Sequence, residues 1–230
     1  MELRKPATQR RITVRSHPAL ALLAIAFAFP SSADQASNPA AVAVVPPATP
    51  VVDQAPTHWI RKYWEWSRSV AASAKPSADA TGARCRERQT GPVWFLTGSD
   101  SPAAVVRTCE IPAGVHVLVP VVSTLVQPFP GQIDPPCKDL TMLLRGFGTD
   151  VTDLRLKVDG VALQNPAAYR VSTGCFELDD KSRKLNGLAA GDGYWVFLKP
   201  LPPGRHEVSF GGKFAGDGVT QNIKYLIDVR

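Results

Sequence analysis

The sequence predicts a mainly β protein: an antiparallel β-sandwich, jelly-roll or immunoglobulin-like, with one amphipathic N-terminal helix. Three observations predict it. Short extended segments recur between turn signals from Pro92 to Val229. A single stretch with helical periodicity precedes them. At the centre, Gly193–Leu198, Lys199–Gly204 and Arg205–Phe210 read as strand, tight loop and strand, a central hairpin. Its first arm is apolar on both faces, while in its second arm His206, Val208 and Phe210 share one face.

The N-terminus carries basic Arg4, Lys5, Arg10, Arg11 and Arg15, then the apolar run Ala19–Phe29, then Pro30 and small residues to Ala33. This is the form of a secretory signal peptide over 1–33. The apolar run is well short of the roughly 20 residues that span a bilayer. The whole chain has a net charge of +6, but residues 1–33 hold five basic groups and one acid, which leaves only +2 for the rest. The basic balance therefore belongs to the leader, and nucleic acid is excluded as a partner. Export without an anchor places the protein in the periplasm or the medium.

Residues 34–56 contain Pro39, Pro46, Pro47, Pro50 and Pro56 and read as an extended linker. One domain, 57–230, follows. Its helix places Trp59, Tyr63, Trp66 and Val70 on one stripe and Ile60 and Trp64 on the next. Thr57 is the expected N-cap, Arg61–Glu65 the expected i,i+4 pair and Pro76 the stop. The aromatic face is read as packing on the sheet, with a carbohydrate platform as the functional alternative.

Strands are expected at Pro92–Leu96, Ala104–Ile111 and Val115–Val122, the last with Pro120 marking an edge or bulge. Leu125–Thr141 reads as a long proline-rich loop. Leu154–Val158 alternates cleanly and turns at Asp159-Gly160. Ala168–Leu178 is extended, Asp179–Gly191 reads as a polar surface loop, and Ile223–Val229 points Tyr225, Ile227 and Val229 inward.

Cys85, Cys109, Cys137 and Cys175 form an even set in an exported chain, which points to two disulfides. Of three pairings, Cys85–Cys109 with Cys137–Cys175 is preferred, because the first bridge brackets the strand at Trp94 and ties neighbouring strands. A four-thiolate zinc site is disfavoured, since no C-x-x-C pairs occur.

No nucleophile, metalloprotease or phosphate-loop motif is present, so no catalytic residue, metal or cofactor is assigned. Asp192, Tyr194, His206 and His116 are the candidate ligand-binding residues. His116 and His206 begin strands and would hold a metal only if those strands were neighbours. Asp179, Asp180 and Asp192 border one expected loop and could together offer oxygen ligands to calcium.

Tyr63-Trp64-Glu65-Trp66-Ser67, Thr81–Cys85, Gly91-Pro92-Val93-Trp94-Phe95-Leu96, Arg107-Thr108-Cys109, Ile111–Gly114, Asp192-Gly193-Tyr194-Trp195 and Leu201–His206 together resemble a family of exported bacterial proteins. The resemblance covers nearly all of 59–229. It implies secretion, supports the first cysteine pairing and brings no catalytic residues. The family pattern carries a polar Asn-and-acid stretch after its Pro-Val strand, where this chain has Ser123-Thr124-Leu125. That departure puts in doubt any polar site the family shares at this strand end.

The function expected from these readings is that of a non-catalytic exported binding or envelope-associated protein, with a glycan or envelope component as its partner. The alternative is a secreted hydrolase that uses loop carboxylates or a His116/His206 metal site.

Overall fold

The computed structural model describes residues 44–128, 135–148, 151–181, 183–214 and 218–230. The expected signal peptide and residues 34–43 of the expected linker lie outside them. All the described residues belong to one unit, mainly β and built in layers.

Helix α1 runs Pro56–Ser69. Pro56 takes the first helical position, where its missing N–H costs nothing and its fixed φ suits the helix. Ala55, rather than Thr57, is the N-cap and contributes no side-chain hydrogen bond. The helix ends at an extended Val70, before Pro76 is reached. The expected Arg61–Glu65 pair is replaced. Glu65 takes Lys62 at 2.7 Å, and Arg61 reaches across to donate to the Thr173 carbonyl at 2.6 Å.

The strands are β1 (Val93–Phe95), β2 (Val105–Ile111), β3 (His116–Val126), β4 (Val151–Val158), β5 (Val161–Ala162), β6 (Arg170–Asp180), β7 (Leu185–Leu198), β8 (Gly204–Phe214) and β9 (Thr220–Val229). They form two sheets, in the orders β1-β3-β7-β6 and β2-β9-β8-β4-β5. Among the described residues, five of the seven strand pairings are antiparallel, but β1 runs parallel to β3 and β2 parallel to β9. Both sheets are therefore mixed, which corrects the purely antiparallel expectation.

One buried cluster joins Val117, Val119, Tyr194 and Val196 of the first sheet to Leu156, Val208, Phe210 and Tyr225 of the second. The other face of the first sheet buries Leu118, Trp195 and Phe197 against Ile60, Tyr63, Trp64 and Trp66 of α1. The order of layers is thus helix, sheet, sheet. The middle layer is dry on both faces, and this explains why the second half of β7, Tyr194–Leu198, reads as continuously apolar.

The expected central hairpin is not a hairpin. β7 lies in the first sheet and β8 in the second, so Lys199–Pro203 arches between the layers. Pro200, Pro202 and Pro203 lack the N–H groups that would continue a ladder through the turn, so the chain leaves the sheet there.

The expected loop Asp179–Gly191 is mostly strand. Leu178 pairs with Gly187 and Cys175 with Ala190, and among the described residues between Asp180 and Leu185, 181, 183 and 184 turn. In Leu125–Thr141, β3 continues to Val126 and a second helix, α2 (Cys137–Gly148), begins at Cys137. The described part of the expected linker is packed: Val44 bridges Leu198, Val45 donates to the Phe197 carbonyl at 2.8 Å, and Val51 is buried.

Both preferred disulfides are present, each with Cα atoms 5.8 Å apart. Cys85–Cys109 ties the segment before β1 to β2 across a separation of 24 residues, and Cys137–Cys175 ties α2 to β6 across 38. Loop-closure entropy makes each worth about 3–4 kcal/mol.

Candidate functional site

The site begins with a buried arginine. Arg107 lies on β2, is 1% exposed, and points into the protein among apolar neighbours. A guanidinium in such a place must have its donors satisfied. Its Nε donates to the Asp79 carbonyl at 2.7 Å. Its Nη1 donates to the carbonyls of Thr97 (2.9 Å) and Gly98 (2.8 Å) and to the Tyr225 hydroxyl (3.0 Å), and its Nη2 to the Ser77 carbonyl (3.1 Å). The guanidinium also lies over the Tyr225 ring, 5.5 Å from its centre. Burial raises the Tyr225 phenol above its usual range despite the neighbouring cation, so it stays protonated and able to donate.

This arrangement decides where β1 stops. β1 runs beside the start of β3, with Val93–Phe95 opposite His116–Leu118, and Leu96 still donates to the Leu118 carbonyl at 3.0 Å. The next residues are then drawn to the second sheet. Thr97 N–H donates to the Tyr225 hydroxyl at 3.2 Å, and Ser99 exchanges two hydrogen bonds with the Gln221 side chain. β3 continues to Val126 without β1.

Between the diverging layers lies a cleft of about 310 Å³. Its floor is Pro120–Leu125 of β3. One wall is the end of α1 with Ser67 and Arg68, another the segments holding Lys75, Ser77, Ser99 and Asp100, and a third Phe214 and Gln221 of the second sheet. The volume is at the low end for small-ligand sites. Its charged groups are Arg68, Lys75 and Asp100. The Asp100 carboxylate accepts from the Ser77 hydroxyl at 3.1 Å. Arg68 lies 3.8 Å from the buried Asp180 carboxylate and over the Trp64 ring. Tyr63 also lines the cleft, and burial, followed by the Tyr225 contribution, raises its phenol well above the usual range. The cleft thus offers hydroxyls, main-chain groups, two cations and the Asp100 carboxylate; the Ser77 hydroxyl bonds that carboxylate, and no histidine is among the lining residues.

The residues expected from sequence do not gather here. Asp192 is buried and held bidentately by Arg170 at 3.1 and 2.9 Å, which raises the Arg170 pKa further. Tyr194 is buried between the sheets. His116 sits where β3 starts, near Lys199, and burial first and that cation second depress its pKa. His206 starts β8 in the other sheet. Its Nδ1 meets Asp159 Oδ2 at 2.7 Å and its Nε2 meets the Pro202 carbonyl at 2.9 Å. The two histidines therefore keep separate partners, and their strands are not neighbours.

Asp179 and Asp180 pair with Asn186 and Leu185, whereas Asp192 lies opposite Ser172. Six residues along β7 separate the two places, about 20 Å of strand, so they cannot share one calcium ion. Among the described residues, no three His, Cys, Asp or Glu side chains converge as metal ligands.

The aromatic platform is also absent. Trp64, Trp66 and Trp195 are 6%, 7% and 2% exposed. Trp59 is half-buried beside a shallow groove and donates its indole N–H to the Val51 carbonyl at 2.7 Å. Sequence reasoning missed Arg107 and the cleft. The one available signal was an arginine at an inward position of the alternating strand Val105–Ile111.

No family model matches the chain, and no curated protein matches it. Among solved structures it is similar to PbICP-C in its complex with falcipain-2, at 12% identity, covering 61% of this chain and 100% of that one, with a TM-score of 0.27. A score that low carries no argument about fold or function.

Proposed function

We propose that this chain is a non-catalytic binding module, exported to the periplasm or medium and associated with the envelope, whose ligand site is the cleft beside β3. The observation that carries the reading is the cleft itself. It is lined by polar and main-chain groups, braced by a buried arginine whose three nitrogens all donate, and its one hydroxyl–carboxylate pair, Ser77 with Asp100, has no lining histidine to relay a proton. Export is supported by the two disulfides, which persist in oxidising compartments. The burial of Trp64, Trp66 and Trp195 removes the stacked-sugar version of glycan binding but leaves hydrogen-bonded ligands open to the cleft. The hydrolase reading has no support from the separate surroundings of His116 and His206.

The two-sheet body fits the immunoglobulin-like kind better than a jelly roll. Read across each sheet, β3, β7 and β6 correspond to strands B, E and D, and β9, β8, β4 and β5 to G, F, C and C′. The connection after β7 then crosses between sheets, as E to F does.

The test is an amide chemical-shift titration of the oxidised protein with peptidoglycan fragments, oligosaccharides and linear peptides. Shifts centred on Ser99, Ser123, Thr124 and Arg68 support the proposal. Shifts confined to another surface, or silence across all three ligand classes, would overturn it.

A further inference from the structure

We infer that the cleft captures an extended polypeptide carrying an acidic side chain, which adds to the first sheet as a strand along the open edge of β3. The inference rests on the binding-module reading and names its ligand class.

The edge is open because β1 is short. Among the described residues, the neighbours of β3 are β1 and β7, and β1 covers it only as far as Leu118. Main-chain groups alternate sides along a strand. His116 N–H donates to the Pro92 carbonyl, and the Leu118 carbonyl accepts from Leu96, so these residues face the β1 edge. The register with β7 then slips by one: Pro120 lies opposite Trp195 and Val122 opposite Tyr194, which leaves Val121 as a bulge. Beyond the bulge, alternation turns Thr124 to β7, where it lies opposite Asp192. Ser123 and Leu125 therefore turn their N–H and C=O groups to the uncovered edge, on the floor of the cleft. An edge with free donors and acceptors is a template for another strand.

The setting decides what kind of chain fits. The edge is sunk between the end of α1 on one side and Phe214 and Gln221 on the other. A flexible single strand can enter such a slot, whereas the sheet edge of a second folded copy cannot approach it. Pro120 removes one donor from the edge and shortens the template. Asp180 stands behind Arg68, 3.8 Å from its Nε, and within the lining Lys75 and the outer donors of the Arg68 fork face the single carboxylate of Asp100, which favours a peptide bearing Asp or Glu. A sugar would satisfy the hydroxyls but would leave the alternating main-chain groups of Ser123 and Leu125 without matched partners.

The test starts with a library of linear dodecapeptides selected on the oxidised protein. The best binder is then resynthesised with one backbone amide N-methylated at a time. Strand addition requires losses of about 10-fold or more at every second amide, with little loss between, because alternate N–H groups face the edge. Selected sequences are expected to carry an acid, and affinity to fall with added salt. On the protein side, Ser123→Pro deletes one edge donor and Ser67→Trp fills the slot while leaving the edge intact. Each is expected to weaken the peptide at least 10-fold with the circular dichroism spectrum unchanged.

Loss at one or no amide, or retained affinity in a folded Ser67→Trp variant, overturns the inference. Should peptides fail while oligosaccharides or peptidoglycan fragments move the Ser123 and Thr124 amides, strand capture falls and the binding-module reading stands. If no ligand moves those amides, both fall.

Discussion

Arg107 is the residue on which the cleft depends, and it is unusual in having no carboxylate in direct contact. It bonds backbone carbonyls and one phenol instead. Removing it would take the donor from the Asp79 carbonyl and leave those of Ser77, Thr97 and Gly98 with one donor each, from Asp100 N–H, the Tyr225 hydroxyl and the Thr97 hydroxyl. We expect Arg107→Met to destabilise the protein by about 3–5 kcal/mol in urea unfolding. Arg107→Lys should do nearly as badly, because one ammonium cannot span acceptors spread over three segments. A lysine variant within about 1 kcal/mol of the parent would show that the fork geometry is dispensable.

His206 gives a pH prediction. Burial alone would lower its pKa, but the hydrogen bond and charge of Asp159 and the carbonyl of Pro202 outweigh it, and the net shift is upward. Both ring nitrogens face acceptors, so the charged form fits the site. A histidine with a raised folded pKa contributes stability that is fully present below its unfolded value, about 6.5. That contribution is lost as pH rises through the folded pKa. The stability difference between the parent and His206→Gln should therefore shrink from pH 6 towards pH 9 in paired thermal melts. A difference that grows with pH would reverse the assignment.

At the scale of elements, the helices approach β7 closely where its residues are small: α1 at Gly191, beside its contacts with Trp195 and Phe197, and α2 at Ala190. A Cβ on Gly191 would lie 2.6 Å from the Trp64 indole nitrogen, closer than real contacts allow. Ala190 is likewise buried, beside Leu140 and Leu144 of α2. We expect Gly191→Ala to push Trp64 off the sheet at a cost of about 1–3 kcal/mol, visible as a change in tryptophan fluorescence together with a lower melting temperature. An unchanged spectrum and melt would mean that the helix yields without strain.

These small residues also explain a failure of sequence reading. Asn186, Gly187, Gly191 and Asp192 have low strand propensity, so the first half of β7 looks like a loop. They are strand residues because the layers above need close approach, a fact that arises only once the helices are in place. By contrast β2, β4 and β9 were legible, since each keeps one wet face and alternates. The arch after β7 was misread because a six-residue proline loop looks alike whether it joins partners in one sheet or strands in two. α2 was hidden by the prolines that precede it.

For the whole molecule, the disulfides were legible from the even cysteine count together with the expected export, and the layered core from the density of short strands. The cleft was not legible. Its lining comes from α1, the segments around Lys75 and Asp100, β3 and the β8–β9 region, and only long-range pairing brings these together. The bridges also allow a prediction about the molecule. Replacing Cys85 and Cys109 together by alanine should lower stability by about 3 kcal/mol, and the loss should match that caused by selective reduction of the same bridge. A double variant as stable as the oxidised parent would show that the 24-residue loop is already ordered before folding.

One feature of the second sheet bears on how the protein is made. β9, residues 220–229, lies between β2 and β8. A growing chain that has not yet delivered those residues holds two halves of a sheet with nothing between them, and Tyr225 is not there to meet Arg107. Closure of this sheet thus waits until residues 220–229 have emerged, and until then β2 and β8 lack the strand that joins them.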